Sequence, residues 1–241
     1  MPMRFLIETR QEHPLRNGAQ LTLDPERSHY LCKVMRARIG DRVDCFDGAG
    51  TAFNAVLTTA DNKRCELLID HVATLVTRPV HAAHLGMSLL KGQSMDRALQ
   101  QATELGAAGI TLLDAARGNV RLNATRQDNK MNHWRKVISA ACEQCGRLYV
   151  PKLYELVSVQ QALSNATEPV IVLDQGGDPL PQSLPASARM ILIGPEGGWD
   201  ENERALFSSQ SLPCYRLAAT TLRAETVPAV ALALLHHVQA Q

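Results

Sequence analysis

From residue 85 onward the chain alternates short apolar runs with amphipathic ones, and this alternation constrains the fold more than any other feature. The runs "HLGMSLL", "GITLLDA", "PVIVLD" and "RMILIG" have the length and apolar density of strands buried on both faces. Helical patterns stand between them: "SMDRALQQATELG", closed by Gly106, the long "NKMNHWRKVISAACEQCGR", and one that opens at Asp200. A strand "CYRLAA" and a last helix near 224–240 follow. Repetition of this kind dictates an α/β domain with a mainly parallel sheet.

The first seventy-odd residues read differently. "RFLIE", "DRVDCFDG", "TAFNAVLTTA" and "KRCELLIDHV" are strand candidates separated by Gly, Asp and Asn turns. One helix interrupts them, "DPERSHYLCKVMRAR", opened by Asp24 with Pro25 at its first position. Helical spacing would put Lys33 and Arg36 on one face. The expected organisation is a small β-barrel-like module over 1–74 and the α/β domain over 75–241, with "LVTRPVHAAH" as the passage between them.

Charge is uneven although the net is +1. Residues 79–152 carry ten Lys/Arg against five Asp/Glu, and 153–241 carry four against nine. In the first module, residues 27–42 hold five basic residues and one acid. Such surface suits a polyanion such as nucleic acid, or is simply a solvated face. No apolar run reaches the roughly twenty residues of a membrane span. The start, "MPMRFLIETRQEH", lacks the apolar core of a signal peptide. Six scattered cysteines suit reduced thiols, so a cytoplasmic protein is expected. Cys142 and Cys145 form a lone C-x-x-C without a second pair, and no metal is expected.

The stretch "ILIGPEGGWDENE" (191–203) carries the chemistry. Asp200 and Glu203 form a capping-box pattern, so the glycine loop joins a buried strand to a helix N-terminus. Open α/β sheets place their ligands at that end. It is no phosphate cradle, because Gly-Lys-[Ser/Thr] is missing and Glu196 would repel phosphate. Gly48-Ala49-Gly50 leads into a strand and reads as a hairpin turn. A tight turn without a ligand would also explain "GPEGG". Two further strand ends, "QGGD" after "PVIVLD" and "TTLRAET" after "CYRLAA", could converge with it on one pocket. Leu173, Leu217 and Leu222 would be its apolar walls, and main-chain groups would read a flat uncharged ring such as adenine. Glu196 is compatible with a ligand that is cationic elsewhere.

These residues resemble the ribosomal RNA small subunit methyltransferase E family of the SPOUT superfamily. The matching stretches are "KGQSMDRALQQATELG" (91–106), "NHWRKVISAACEQCGRLYVPKL" (132–153), "ILIGPEGGWDENE" and "RLAATTLRAETVPAVALALL" (216–235). The first module is similar to the family's PUA-like RNA-binding domain. One departure is Ala218-Ala219, where the family usually has Gly-Pro. The resemblance implies a deep trefoil knot in the SPOUT domain, S-adenosylmethionine as cofactor, a homodimer, and methylation of uridine N3 in 16S ribosomal RNA of the small subunit.

The cofactor-binding residues implied are Leu173, Ile193, Gly194, Pro195, Gly197, Gly198, Leu217, Leu222 and Thr226. Arg223 is the electrophilic partner for the developing uracil anion, since guanidinium is always charged. Glu143 and Glu225 are candidate proton acceptors, with water as a rival. RNA contacts are expected from Lys33, Arg36, Arg38, Lys91 and Arg147. The terminal segment 226–238 is apolar on nearly every side of a helix, which suits cover by a second protomer. RNA would then be recruited by the first module of one chain to the pocket of the other.

Overall fold

The computed structural model describes residues 4–7, 15–75, 83–181 and 190–239. The expected passage between domains lies mostly in 76–82, outside the described residues. Two compact units are present: Met1–Arg78 with Cys142–Val150, and Pro79–Ala141 with Pro151–Gln241.

The first unit is a curled five-stranded sheet. Its strands are β1 (Phe5–Leu6), β2 (Gln20–Thr22), β3 (Arg42–Phe46), β4 (Thr51–Thr59) and β5 (Glu66–Leu75), in the order β1-β3-β4-β5-β2. Only the β1–β3 pair is parallel. Phe53, Ala55 and Leu57 alternate along β4 onto one face, where they meet Val43, Cys45, Leu67 and Ile69. Each large side chain so buried contributes about 1.5–3 kcal/mol. Three register shifts between β4 and β5 act as bulges that bend the sheet around this core. Gly48 (φ 74°) and Gly50 (φ 110°) turn β3 into β4, while Asp47 Oδ1 accepts from Ala49 N–H and Thr51 N–H. The segment Cys142–Val150 belongs here because it pairs with that turn: Gly50 N–H donates to Leu148 O and Val150 N–H to Gly48 O. Leu6, Phe46 and Cys142 form a second small core beneath it.

The expected helix over 24–38 is shorter than its pattern. Asp24 caps α1 (Pro25–His29), but Tyr30–Val34 then winds as a π-helical turn. Met35 N–H bonds Tyr30 O, and Arg36 has a left-handed φ of 55°. Lys33 and Arg36 therefore do not share a helix face. The chain leaves the helix between them because Ala37 N–H turns back to Leu31 O.

The second unit is an all-parallel six-stranded sheet with helices. Its elements are β6 (His84–Ser88), α2 (Gln93–Glu104), β7 (Gly109–Asp114), α3 (Ala124–Cys145, as far as Ala141, its last four residues counting with the first unit), β8 (Lys152–Ser158), α4 (Val159–Ser164), β9 (Val170–Pro179), β10 (Met190–Ile193), α5 (Glu201–Ser209), β11 (Cys214–Arg216) and α6 (Val227–Gln239). The order is β11-β9-β10-β6-β7-β8, so β10 stands between two strands that precede it in the chain. Met95, Ala98, Leu99 and Ala102 make the buried stripe of α2, at helical spacing. Gly106 (φ 85°) closes it, with Ala107 N–H on Ala102 O. The strand β9 runs through the two glycines expected to be a loop. A Cβ on Gly177 would lie 2.7 Å from Cys214 O, so glycine lets β11 approach and pair there. No helix among the described residues is long and apolar enough to cross a membrane.

Candidate active site

The middle of β9 and the carboxyl ends of β10 and β11, three neighbouring strands, open on a cavity of about 310 Å³. That volume falls within the ~300–1,000 Å³ usual for small-molecule sites. Residues 173–175 line it from β9, 193–199 from β10 and its loop, Arg204 from α5, and 215–218, Thr221, Leu222 and Ala224 from the end of β11 onward. Two of the three segments expected to converge, those after β10 and β11, line the cavity, but the third contribution comes from residues 173–175 within β9, because "QGGD" continues the strand and does not form a loop.

The shape of the middle loop follows from one buried aromatic. Trp199 is fully buried, stacks edge-on against Phe207 at 5.1 Å, and donates from Nε1 to Leu173 O at 3.0 Å. It thereby ties the middle of β9 to the loop after β10. A Cβ on Gly194 would sit 2.9 Å from the indole Cε2, so this position admits only glycine without movement. Gly198 (φ 67°) completes a turn whose N–H bonds Pro195 O. Its Cβ would meet nothing closer than Arg204 Nη2 at 3.8 Å, so conformation and not crowding by the protein demands glycine there. Asp200 caps α5, and its reciprocal partner Glu203 is buried with Oε1 accepting from Ala116 N–H and Oε2 from Asp200 N–H.

Charge in the cavity is paired on one side and open on the other. Asp174, midway along β9, accepts two bonds from Arg204, at 2.8 Å from Nε and 3.2 Å from Nη2. This forked pairing raises the guanidinium pKa further. Glu196 is exposed at the cavity wall. Gln175 Nε2 donates to Ala218 O at 3.4 Å, so the Ala-Ala that departs from the family pattern still contacts the neighbouring strand β9.

Of the cofactor residues expected from sequence, Leu173, Ile193, Gly194, Pro195, Gly197, Gly198, Leu217 and Leu222 line the cavity; Thr226 does not, and Val227 does. Thr226 N–H instead bonds Arg223 O. Arg223 is 85% exposed, and its Nη1 stands 4.0 Å from Oε1 of Glu225, which is 15% exposed. Glu143 lies in the first unit, where Oε1 accepts from Leu6 N–H at 3.0 Å and from Arg27 Nη1 at 2.8 Å. Lys33, Arg36, Arg38 and Lys91 are exposed, and Arg147 is half-buried in the 142–150 segment. Burial pushes the Cys142 thiol up to about 12, which keeps it protonated. Sequence reasoning missed Trp199, Asp174 and Arg204. The first was signalled by an aromatic directly after the glycines, and the acid ended an otherwise apolar run.

The family model of an RNA methyltransferase domain matches residues 77–236, and that of an RNA methyltransferase PUA domain matches 23–70. The chain is 26% identical to the ribosomal RNA small subunit methyltransferase E of Bacillus subtilis, over 97% of this chain and 96% of that one. It is 28% identical to the Synechocystis protein of the same name, over 90% and 73%. Its fold is similar to the crystal structure of the Neisseria gonorrhoeae ribosomal RNA small subunit methyltransferase E bound to S-adenosylmethionine, with a TM-score of 0.86, 27% identity and 99% and 98% of the two chains covered. A Legionella pneumophila methyltransferase with bound S-adenosylmethionine superposes with a TM-score of 0.90, at 28% identity over 99% and 98%. By its matched domains and the relatives that share its full length, this chain belongs to the RNA methyltransferase family that includes the ribosomal RNA small subunit methyltransferases E.

Proposed function

We propose that the chain binds S-adenosylmethionine in the strand-end cavity and methylates N3 of a uridine in 16S ribosomal RNA of the small subunit. The observation that carries this reading is the convergence of β9, the glycine loop after β10 and the segment after β11 on one cavity. The cavity has the volume and lining to suit the cofactor: Leu217, Leu222 and Ile193 offer apolar walls for an adenine ring. Glu196 faces the same space and favours a cationic ligand over a phosphate. The bound cofactor would supply an electrophilic methyl group on sulfonium.

The rest of the chemistry falls to the chain. Uridine N3 must lose its proton before it attacks, and the charge left spreads to O2 and O4. Arg223, mostly solvent-facing and only loosely paired at 4.0 Å, is free to turn its donors to that edge. Glu225, the better shielded partner, is the favoured proton acceptor, with water as the rival. Glu143 is already held by Arg27 and Leu6 N–H, which suits an organising role in the first unit. The exposed cations Lys33, Arg36, Arg38 and Lys91, with Arg147, hold RNA phosphates.

A homodimer is part of this reading. Ala231, Leu232 and Leu235 of α6 are buried against their own unit, yet Val227, Val230 and Leu234 stay only half-covered. A second copy of α6 would cover them. Action on the small subunit places the protein in the cytoplasm. The test is methyl transfer from labelled cofactor to small subunits that lack the modification, followed by nucleoside analysis. The reading predicts 3-methyluridine at one position. Label in another base or in ribose would refute the N3 assignment, and binding without transfer would favour an RNA-binding assembly factor.

A further inference from the structure

Four large apolar side chains stand exposed among the described residues, and three of them fall within one short segment: Val34 at 58%, Met35 at 46% and Ile39 at 68%. Single exposed apolar residues are ordinary, but three on one turn mark an interaction surface. Lys33, Arg36 and Arg38 alternate with them and are also exposed. None of the three cations makes an ion pair among the described residues. Asp41, the nearest acid in the chain, spends Oδ2 on the backbone N–H of Arg38 at 2.7 Å.

The backbone here is shaped and tethered. The π-helical turn Tyr30–Val34 leads into Arg36 at φ 55°, a strained conformation for a bulky residue. Both features gather at binding sites. Three bonds to the core side pin the segment: Met35 N–H to Tyr30 O, Ala37 N–H to Leu31 O and Gly40 N–H to Leu57 O, at 3.0, 3.0 and 2.8 Å. Leu31 and Leu57 are both buried in the core of the first unit. A segment already fixed loses little entropy when it binds.

We propose that residues 33–39 form a wedge that contacts unstacked bases of single-stranded RNA. Val34, Met35 and Ile39 pack on base faces, while Lys33, Arg36 and Arg38 hold the flanking phosphates. The cations argue for a polyanion, and the apolar tips argue that its bases are met, which a duplex would hide. The proposal deepens the RNA-methylating reading above and rests on it.

The test uses the full chain carrying Val34→Ser, Met35→Ser and Ile39→Ser, which leaves every cation in place. Fluorescence anisotropy with a labelled single-stranded fragment of 16S ribosomal RNA is expected to show a roughly tenfold loss of affinity. The slope of affinity against salt should not change, and neither should binding to a duplex of the same length. Replacing Lys33, Arg36 and Arg38 by alanine should instead flatten the slope by roughly one per cation lost. Unchanged single-strand affinity in the folded serine variant would overturn the wedge. So would equal losses on single strand and duplex, a loss confined to protein-containing subunits, or an altered oligomeric state in light scattering. Should the triple variant fail to fold, Ile39→Ser alone should lose roughly threefold, and no loss there would overturn the proposal equally. Titration of S-adenosylmethionine into the same samples separates the two readings. A wild-type chain that binds the cofactor but ignores the substitutions refutes the wedge, whereas one that binds no cofactor refutes the methyltransferase reading.

Discussion

In the parallel-sheet unit the candidate site is shaped chiefly by main chain: glycines at 194, 197 and 198, a turn held by Trp199, and the segments of β9 and after β11 beside it. In the first unit the candidate surface is made of side chains: three cations and three apolar tips on a strained turn. A backbone site is rigid and indifferent to most surface substitutions, yet fails when a single Cβ is added. A side-chain surface tolerates loss of any one member and responds in proportion. The difference teaches where each function is vulnerable, and it can be broken by experiment at either end.

The largest effect is expected at Gly194. Gly194→Val drives a branched side chain into the buried indole of Trp199, whose ring would be 2.9 Å from the new Cβ. Affinity for S-adenosylmethionine, read by calorimetry on the folded variant, should fall by at least roughly a hundredfold. Next comes Arg223→Ala, which should leave cofactor affinity within about twofold and lower kcat by about 10²–10³. A change in cofactor affinity with little change in kcat would move Arg223 from the reacting edge to the cofactor.

Leu234→Glu is expected to weaken the proposed dimer by about tenfold, seen as a shift in apparent mass with dilution, and to lower activity with it. A monomeric wild type at micromolar concentration, or a monomeric variant with full activity, would contradict the dimer. The smallest effect on turnover belongs to Glu143. Glu143→Ala leaves the Arg27 guanidinium and Leu6 N–H without their shared acceptor, so stability should fall by about 1–3 kcal/mol in denaturant titration. Turnover below the unfolding transition should stay within about twofold, with an unaltered pH profile. A large kcat loss without a stability loss would make Glu143 the proton acceptor.

The same contrast governs what could be read in the sequence. Apolar runs announced β6, β7, β9 and β10, and the glycines at 194–198 with Asp200 and Glu203 announced the loop and the helix after it. The edge strand β8 escaped notice because half of "KLYELVS" is exposed and its apolar positions do not form a run. The continuation of β9 through Gly176 and Gly177 was hidden too, since what permits it is the backbone of β11, far along the chain. Nothing in local pattern says that β10 enters between β9 and β6, or that Cys142–Val150 pairs with the turn at Gly48. In the first unit the cations were visible as a charge cluster. Their setting was not, because the register change at Tyr30 and the left-handed Arg36 arise from bonds to Leu31 and Tyr30, against an intact helical pattern.

Hydrogen exchange resolved to short peptides measures directly whether the cofactor is held between β9, the loop after β10 and the segment after β11. On saturation of the full chain with S-adenosylmethionine, amides in 173–175, 194–198 and 217–222 should slow, while those of 33–39 exchange as before. Protection elsewhere, or none in these three segments at saturating cofactor, would contradict that placement.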